Sequence, residues 1–275
     1  MKKLLSIPTY LLFSLLFTGV IFQSCSKNDP EPEPEPEPET IQIPNEQLRS
    51  LVLAGLGLPA TTVDIPLDKM EDLVSINAND LETVDRPLLD DLTGLEHATN
   101  LIYLRIGETG VTDLSPVSGL ENIRYFRIND TEISDLTPIS NYTKLVYFNA
   151  NSATQITDIS PLAGNVDLLE AILRNVPFGN EGMETIGKFT KLYRLNMRNT
   201  GVSDITVLGE LMANGEALLS SNPYDVDDHF PDELKPGKEQ ALDLRENPIE
   251  SYDPIRPFVE NGTAVETSPS TLPAN

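Results

Sequence analysis

LIYLRIGETGVTDLSPVSGLEN, residues 101–122, is followed directly by IRYFRINDTEISDLTPISNYTK, residues 123–144. Each stretch is 22 residues long, and the two match position by position. With the first residue of each stretch counted as offset 0, apolar residues recur at offsets 0, 3 and 5: Leu101, Leu104 and Ile106, then Ile123, Phe126 and Ile128. Offsets 3 and 5 are two residues apart, so their side chains fall on one face of a short strand. One such strand cannot bury its apolar face alone, and the sequence therefore predicts copies that stack around a shared core.

The second half of each stretch predicts a short helical turn opposite the strand. A Ser or Thr before a Pro is typical of an N-cap followed by Pro at the first helical position, and it recurs as Ser115-Pro116, Thr137-Pro138 and Ser160-Pro161. At offset 8 a hydroxyl or amide recurs and is expected to bond the backbone of the turn: Thr109, Thr131, Thr200, Asn222 and Asn247. A period of about 20 to 29 residues with this apolar spacing is the leucine-rich-repeat signature. The predicted fold is an α/β repeat solenoid, with short parallel strands on the concave face, short helical or 3-10 turns on the convex face, and an N-terminal helical cap.

The repeats extend in both directions from this stretch. An amphipathic pattern at 41–58 predicts a capping helix within an N-terminal cap over 41–72, and Leu73, Ile76 and Ala78 predict the first strand. Later repeats start at Leu145, Leu168, Leu192, Asn214 and Glu239. With a last strand at Thr263–Val265 and a C-terminal cap, the repeats cover 73–265, and 266–275 is expected to be a frayed tail.

The N-terminal segment predicts export. Residues 1–24 have two lysines before an apolar run, as a secretory signal has. Cys25 is the chain's one cysteine, and its place at the expected cleavage site predicts a lipid acceptor. Ordinary cleavage with a free thiol and a retained membrane anchor stay open as alternatives. The alternating Pro and Glu of 25–40 predict an extended tether. The acidic cluster after Cys25 resembles the surface-export signals of some Gram-negative lipoproteins, and this resemblance implies an outer-membrane lipoprotein exposed at the cell surface.

Several motifs resemble the internalin-like bacterial leucine-rich repeats. They are IPNEQL at 43–48, DLTGLE at 91–96, and the SPV, TPI and SPL turns at 115–117, 137–139 and 160–162. The resemblance covers 41–265. It implies a non-enzymatic adhesion or recognition protein that binds through its concave face, and it carries over no ligand residue because concave residues vary among such proteins.

Charge separates the predicted concave face from the rest of the chain. The net charge is −24, which makes nucleic acid a poor partner. Seven of the ten arginines nevertheless fall at outward offsets, and tyrosines stack at offset 2. The candidate ligand-binding residues are Tyr103, Arg105, Arg124, Tyr125, Arg127, Tyr147, Arg174, Arg194 and Arg198, with Tyr193 and Arg245 beside them. Tyr and Arg are favoured in binding hot spots, although strand propensity can also explain the tyrosines, and balancing of nearby acids can explain the arginines. Lys188 and Lys191 are expected on the far side.

Residues for catalysis are sparse. His97 and His229 are the two histidines and lie far apart in repeat order, and no phosphate loop or nucleophile elbow occurs. The acidic residues at 225–233 match no EF-hand spacing, so a solvated loop is favoured over a calcium site. We expect no enzyme activity, no cofactor and no metal. The function predicted is a monomeric surface lipoprotein that binds a protein or an acidic or sulfated glycan and touches the membrane only through its lipid. A structural or accessory scaffold of the envelope is the alternative.

Overall fold

The computed structural model describes residues 38–214, 217–218, 242–263, 265–267 and 272. In this part of the chain, β1 (Thr40–Ile41) and β2 (Ile65–Pro66) form an antiparallel pair, and eight further strands form one parallel sheet in chain order. Those strands are β3 (Ser75–Asn77), β4 (Tyr103–Arg105), β5 (Tyr125–Arg127), β6 (Tyr147–Asn149), β7 (Glu170–Ile172), β8 (Arg194–Asn196), β9 (Leu242–Asp243) and β10 (Val265–Glu266). The helices are α1 (Glu46–Gly55), α2 (Met183–Ile186), α3 (Thr206–Ala213) and α4 (Arg256–Glu260).

Neighbouring strands pair in the register that the repeat predicts. Leu104 lies opposite Phe126, and Phe126 lies opposite Phe148. All three side chains are fully buried, and the ring centroids of Phe126 and Phe148 are 6.0 Å apart. They belong to one continuous apolar core that reaches from Ile43 to Ile255. The predicted solenoid and its strand register are confirmed, but the repeat predicted at Asn214 places no strand between β8 and β9, since Leu195 lies directly opposite Leu242.

The turns opposite the strands are 3-10 helices, but their caps differ from the prediction. In the turns at Ser115–Val117 and Thr137–Ile139, the Ser or Thr is already the first helical residue. The capping oxygen belongs to the Asp two residues earlier: Asp113 Oδ1 accepts from the Ser115 amide at 2.8 Å, and Asp135 Oδ1 accepts from the Thr137 amide at 2.7 Å. The hydrogen bonds from Ser115 lower the pKa of Asp113. The prediction of Ser and Thr as N-caps is therefore wrong, because the Asp carboxylate accepts from the amide two residues on and the Ser or Thr is already helical.

A left-handed residue follows the strand in six of the repeats. Six non-glycine residues at offset 7 have φ between 54° and 63°: Glu108, Asp130, Ser152, Asn175, Asn199 and Glu246. This backbone turn aims each amide at the next coil, as the Glu108 amide shows by donating to the Asn129 carbonyl at 2.8 Å. At the next position the predicted side-chain bond is present, since Thr109 Oγ1 donates to the Ile106 carbonyl at 2.6 Å and Thr131 Oγ1 to the Ile128 carbonyl at 2.8 Å.

Helix α1 lies at the β3 end of the sheet. It begins after Asn45, whose side chain accepts from the Leu48 amide at 2.9 Å, and it buries Leu48, Leu51 and Val52 in the main core. The helix is shorter than the predicted 41–58. The first strand occupies Ser75–Asn77, and the last described strand starts at Val265, two residues later than predicted.

Several predictions concern residues outside the described ranges. They are the signal segment, Cys25, the tether up to residue 37, Asn222 and the acidic loop at 225–233. Among the described residues, none of the helices is both long and apolar enough to span a bilayer.

Candidate functional site

The three predicted tyrosines form a row across the sheet. Tyr103, Tyr125 and Tyr147 lie opposite one another on β4, β5 and β6, and they flank the core residues, so they point to the opposite, concave face. The rings of Tyr103 and Tyr125 are 6.2 Å apart. The three residues are only 9%, 8% and 5% exposed, because Val146 and Leu169 pack with them into a second apolar cluster. These candidate ligand-binding tyrosines are therefore largely covered, and the apolar residues at offset 1 of the later repeats were the sequence signal for this burial.

Two arginines lie side by side beyond this row. Arg105 on β4 is opposite Arg127 on β5. Glu108 is 3.8 Å from Arg105 and 2.7 Å from Arg86, so one carboxylate serves two guanidinium groups. Arg127 donates from Nε to the amide oxygen of Asn129. Burial and, next, the charge of Arg127 lower the pKa of Arg105. This pair, with Arg86, is a centre of positive charge in an acidic chain.

Farther along the sheet, the tyrosine row is continued by an ion pair. Glu170 on β7 is opposite Tyr147 on one side and Arg194 on the other. Arg194 Nη1 donates to Glu170 Oε1 at 2.6 Å, and Glu170 is 1% exposed. Burial, partly offset by Arg194, raises the pKa of the Glu170 carboxyl to about 7. The sequence prediction missed Glu170, although an acid at offset 2 beside an arginine at offset 2 of the next repeat was a usable signal.

The arginines near the C-terminal end of the sheet are also paired. Arg198 contacts Glu246. Arg245 donates from Nε and Nη2 to the Asp243 carboxylate at 2.9 and 2.7 Å, and it also contacts Glu266. These contacts agree with the alternative hypothesis that the arginines balance the charge of neighbouring acids. Arg174, at the same offset as Arg198, is exposed.

Arg124 lies at the other end of the strands, about 10 Å along the chain direction from Arg127. It lines an open groove of about 440 Å³ together with Lys144, Val146, Leu169 and Lys191. The prediction that Lys191 faces the far side is therefore wrong, since it precedes β8 at the same rim as Arg124. The candidate residues thus occupy three places: Arg124 lies before its strand, the tyrosines, Arg105, Arg127 and Arg194 lie within the strands, and Arg174 and Arg198 lie after them.

Within the ranges that the structure describes, no three His, Cys, Asp or Glu side chains come together as a metal site.

Solved structures share this arrangement of strands and turns. An internalin, inlF, from Listeria monocytogenes matches with a TM-score of 0.60 and 21% identity over 82% of this chain. The match covers 55% of that protein, so the chain spans about half its length. Internalin C2 from the same organism matches with a TM-score of 0.60 and 18% identity, over 82% of this chain and 93% of the other. The fold is a leucine-rich-repeat solenoid.

No protein-family model matches the chain, and no curated protein matches it. The likeness to the two internalins therefore concerns the fold of the solenoid.

Proposed function

We propose that this leucine-rich-repeat solenoid is a recognition module that binds a protein or an acidic or sulfated glycan through its concave face. It acts as a monomer without enzyme activity. A lipid on Cys25 holds it to the outer membrane of a Gram-negative cell, with the solenoid exposed at the surface. The observation that carries the proposal is the adjacent pair Arg105 and Arg127.

The charge around this pair supports an anionic ligand. Arg86, Arg105 and Arg127 lie near two carboxylates, of which Glu108 contacts two of the arginines and Asp130 accepts from Asn129 at 2.7 Å. An arginine fork bonds carboxylates and sulfates with two parallel hydrogen bonds. Because the chain as a whole carries −24, a local excess of positive charge on one face favours an acidic partner at that face.

The scaffold alternative has its own supporting observation. Arg194, Arg198 and Arg245 contact Glu170, Glu246 and Asp243, so this half of the concave face satisfies its charges internally. A solenoid that only holds an envelope complex together needs no free cations on this face. The two functions therefore differ in whether Arg105 and Arg127 matter for binding.

The test uses the full-length chain, purified in detergent, on an array of carboxylated and sulfated glycans and on a panel of purified matrix proteins. Arg105→Gln with Arg127→Gln removes both charges and keeps side-chain donors. The matched control is Lys188→Gln with Arg256→Gln, because those two cations lie outside the strands, in the turn after α2 and at the start of α4, and pair locally with Glu184 and Asp253.

We expect the Arg105 and Arg127 variant to lose binding that the control keeps, with both melting near the wild-type temperature. Binding that survives in both variants would favour the scaffold. Equal losses in both variants would point to bulk charge rather than to a site.

The anchor is tested separately by Cys25→Ala. A thioether-linked lipid needs the Cys25 sulfur, so we expect the variant to leave the membrane fraction or to stall in processing. Normal processing with an unchanged membrane fraction would contradict the lipoprotein proposal while leaving recognition untouched.

A further inference from the structure

A groove runs along the rim of the sheet where the strands begin. Two open stretches meet at Arg124 and Lys144, one toward β3 and one toward β8. Its main lining residues are Ile102, Arg124, Lys144, Val146, Leu169 and Lys191. We call this the rim groove. It lies apart from the Arg105 and Arg127 pair, which is at the opposite end of the same short strands.

The rim groove brings Arg124, Lys144 and Lys191 together at one end of the strands. Among the residues that the structure describes, the Arg124 side chain makes no hydrogen bond or ion pair, although its charge acts on Tyr125. Lys144 is exposed and donates to the neutral side chain of Asn122 at 2.7 Å. Lys191 is 2.5 Å from Asp167, which is the one acid lining the stretch between Arg124 and Lys191. In the stretch between Arg124 and Lys191, three cations therefore line the groove with one acid, whereas Glu71 and Asp72 line the stretch toward β3.

The rim groove is also apolar, and its apolar residues are aliphatic. Val146 and Leu169 form a nearly buried floor, joined to the tyrosine cluster. Toward β3, Ile102 is 39% exposed and Val74 is 53% exposed. Both side chains are apolar and exposed to solvent, and both line the stretch of the groove that ends at Glu71 and Asp72.

We propose that the rim groove binds an extended acidic peptide segment of a partner protein. The carboxylates of the segment lie along Arg124, Lys144 and Lys191, and an apolar side chain of the segment covers Ile102 and Val74. The acids Glu71 and Asp72 fix the direction, because they repel the acidic part from the β3 end. The inference rests on the proposed recognition function and names its partner class and its site.

The length of the groove suits a peptide. Five strand-to-strand steps separate β3 from β8, and at about 4.8 Å each they span roughly 24 Å. An extended chain covers that distance with about seven residues at about 3.3 Å per residue. A peptide also fits the side chains better than a glycan does, because the flat aromatic faces that a sugar ring packs against are covered here, while open aliphatic side chains remain.

The test measures binding of the full-length chain to a peptide array. The array compares extended peptides that combine acidic with apolar residues, acidic with small polar residues, neutral with apolar residues, and basic with apolar residues. A second array carries sulfated and carboxylated glycans. The variants are Arg124→Gln with Lys144→Gln, and Ile102→Ser. Lys188→Gln with Arg256→Gln is the matched control, and melting temperatures verify folding.

We expect the acidic and apolar peptides to bind best and to weaken as salt is raised. Loss of the two cations should weaken them by on the order of tenfold or more. Ile102→Ser should weaken these peptides and leave the preference for acidic residues in place, and the control should bind like the wild type.

Four results would overturn the inference: no peptide bound, neutral or basic peptides bound equally well, affinity unchanged in the Arg124 and Lys144 variant, or glycans bound through these cations without Ile102. The Arg105 and Arg127 variant separates the two proposals. If it alone loses ligand, the recognition function stands and the rim groove is not the site. If the rim variants alone lose ligand, the rim groove is the binding site and the Arg105 and Arg127 pair is not.

Discussion

The Glu170 carboxyl makes the stability of this protein depend on pH, and Glu170→Gln is the perturbation that tests this. Burial, partly offset by Arg194, raises the pKa of the carboxyl from 4.5 to about 7. Between these values the folded protein keeps a proton that the unfolded chain has lost, so the free energy of unfolding falls as the pH rises. At about 1.4 kcal/mol per pKa unit, the fall amounts to roughly 3 kcal/mol between pH 4.5 and about pH 7.

The assay is urea denaturation of the wild type and of Glu170→Gln at a series of pH values across this range. Glutamine stays neutral and resembles the protonated carboxyl in shape, so the variant lacks the fall. Relative to the wild type, it should therefore gain roughly 3 kcal/mol as the pH rises through the range. Self-repulsion within a chain of net charge −24 acts on both proteins and cancels in the difference.

Two outcomes would refute this reasoning. Parallel curves for the two proteins would show that Glu170 titrates near its ordinary pKa. A difference of opposite sign would show that the ion pair with Arg194 outweighs burial. Arg194→Gln gives an internal comparison, because removing the neighbouring positive charge raises the pKa of Glu170 further and extends the fall to higher pH.

Three further substitutions test the packing of the coils by urea denaturation. Leu104→Ala should lower the free energy of unfolding by about 2–5 kcal/mol, because it leaves a cavity in the core. The control Val84→Ala, at a residue that is 81% exposed, should change this free energy by less than about 0.5 kcal/mol. Equal effects of the two substitutions would contradict the strand register. Asn247→Ala should lower the free energy of unfolding by about 1–3 kcal/mol, because Asn247 Oδ1 accepts hydrogen bonds from three successive backbone amides of the preceding coil. An unchanged urea midpoint would show that water replaces the Asn247 side chain. Gly110→Ala should also destabilise, by about 1–3 kcal/mol, since its Cβ would lie 2.5 Å from the Pro87 carbonyl oxygen; a neutral result would show that this loop yields.

The sequence was sufficient to predict the fold because the same spacing of apolar residues recurs in successive repeats. The spacing of Leu104 and Ile106, and its copy at Phe126 and Ile128, determines both the strand and the face that it buries. The strand register then follows from stacking equivalent positions. The cap at Asp113 was assigned to the wrong residue because Ser, Pro and Asp all occur at such turns, and their spacing alone does not identify the accepting oxygen.

The candidate site was predicted less well, because exposure depends on neighbours in other coils. Placing Tyr103 and Tyr125 on the outward face was correct, but burial of their rings depends on Val146 and Leu169, one and two repeats farther along. The state of Arg194 depends on Glu170, which is 24 residues away in sequence and adjacent across the sheet. Offset counting lists which side chains share a face. It does not measure how completely they cover or neutralise one another.

The second apolar cluster has a consequence for how the solenoid opens. Each coil of a solenoid contacts only its neighbours, so the strength of each interface sets which coils separate first. Strands β4, β5 and β6 are joined by apolar packing on both faces of the sheet, whereas Glu170 on β7 and Arg194 on β8 replace that packing with an ion pair. The amides of the three central strands should therefore exchange their hydrogens together, as one cooperative block, while the coils beyond β7 open at lower free energy.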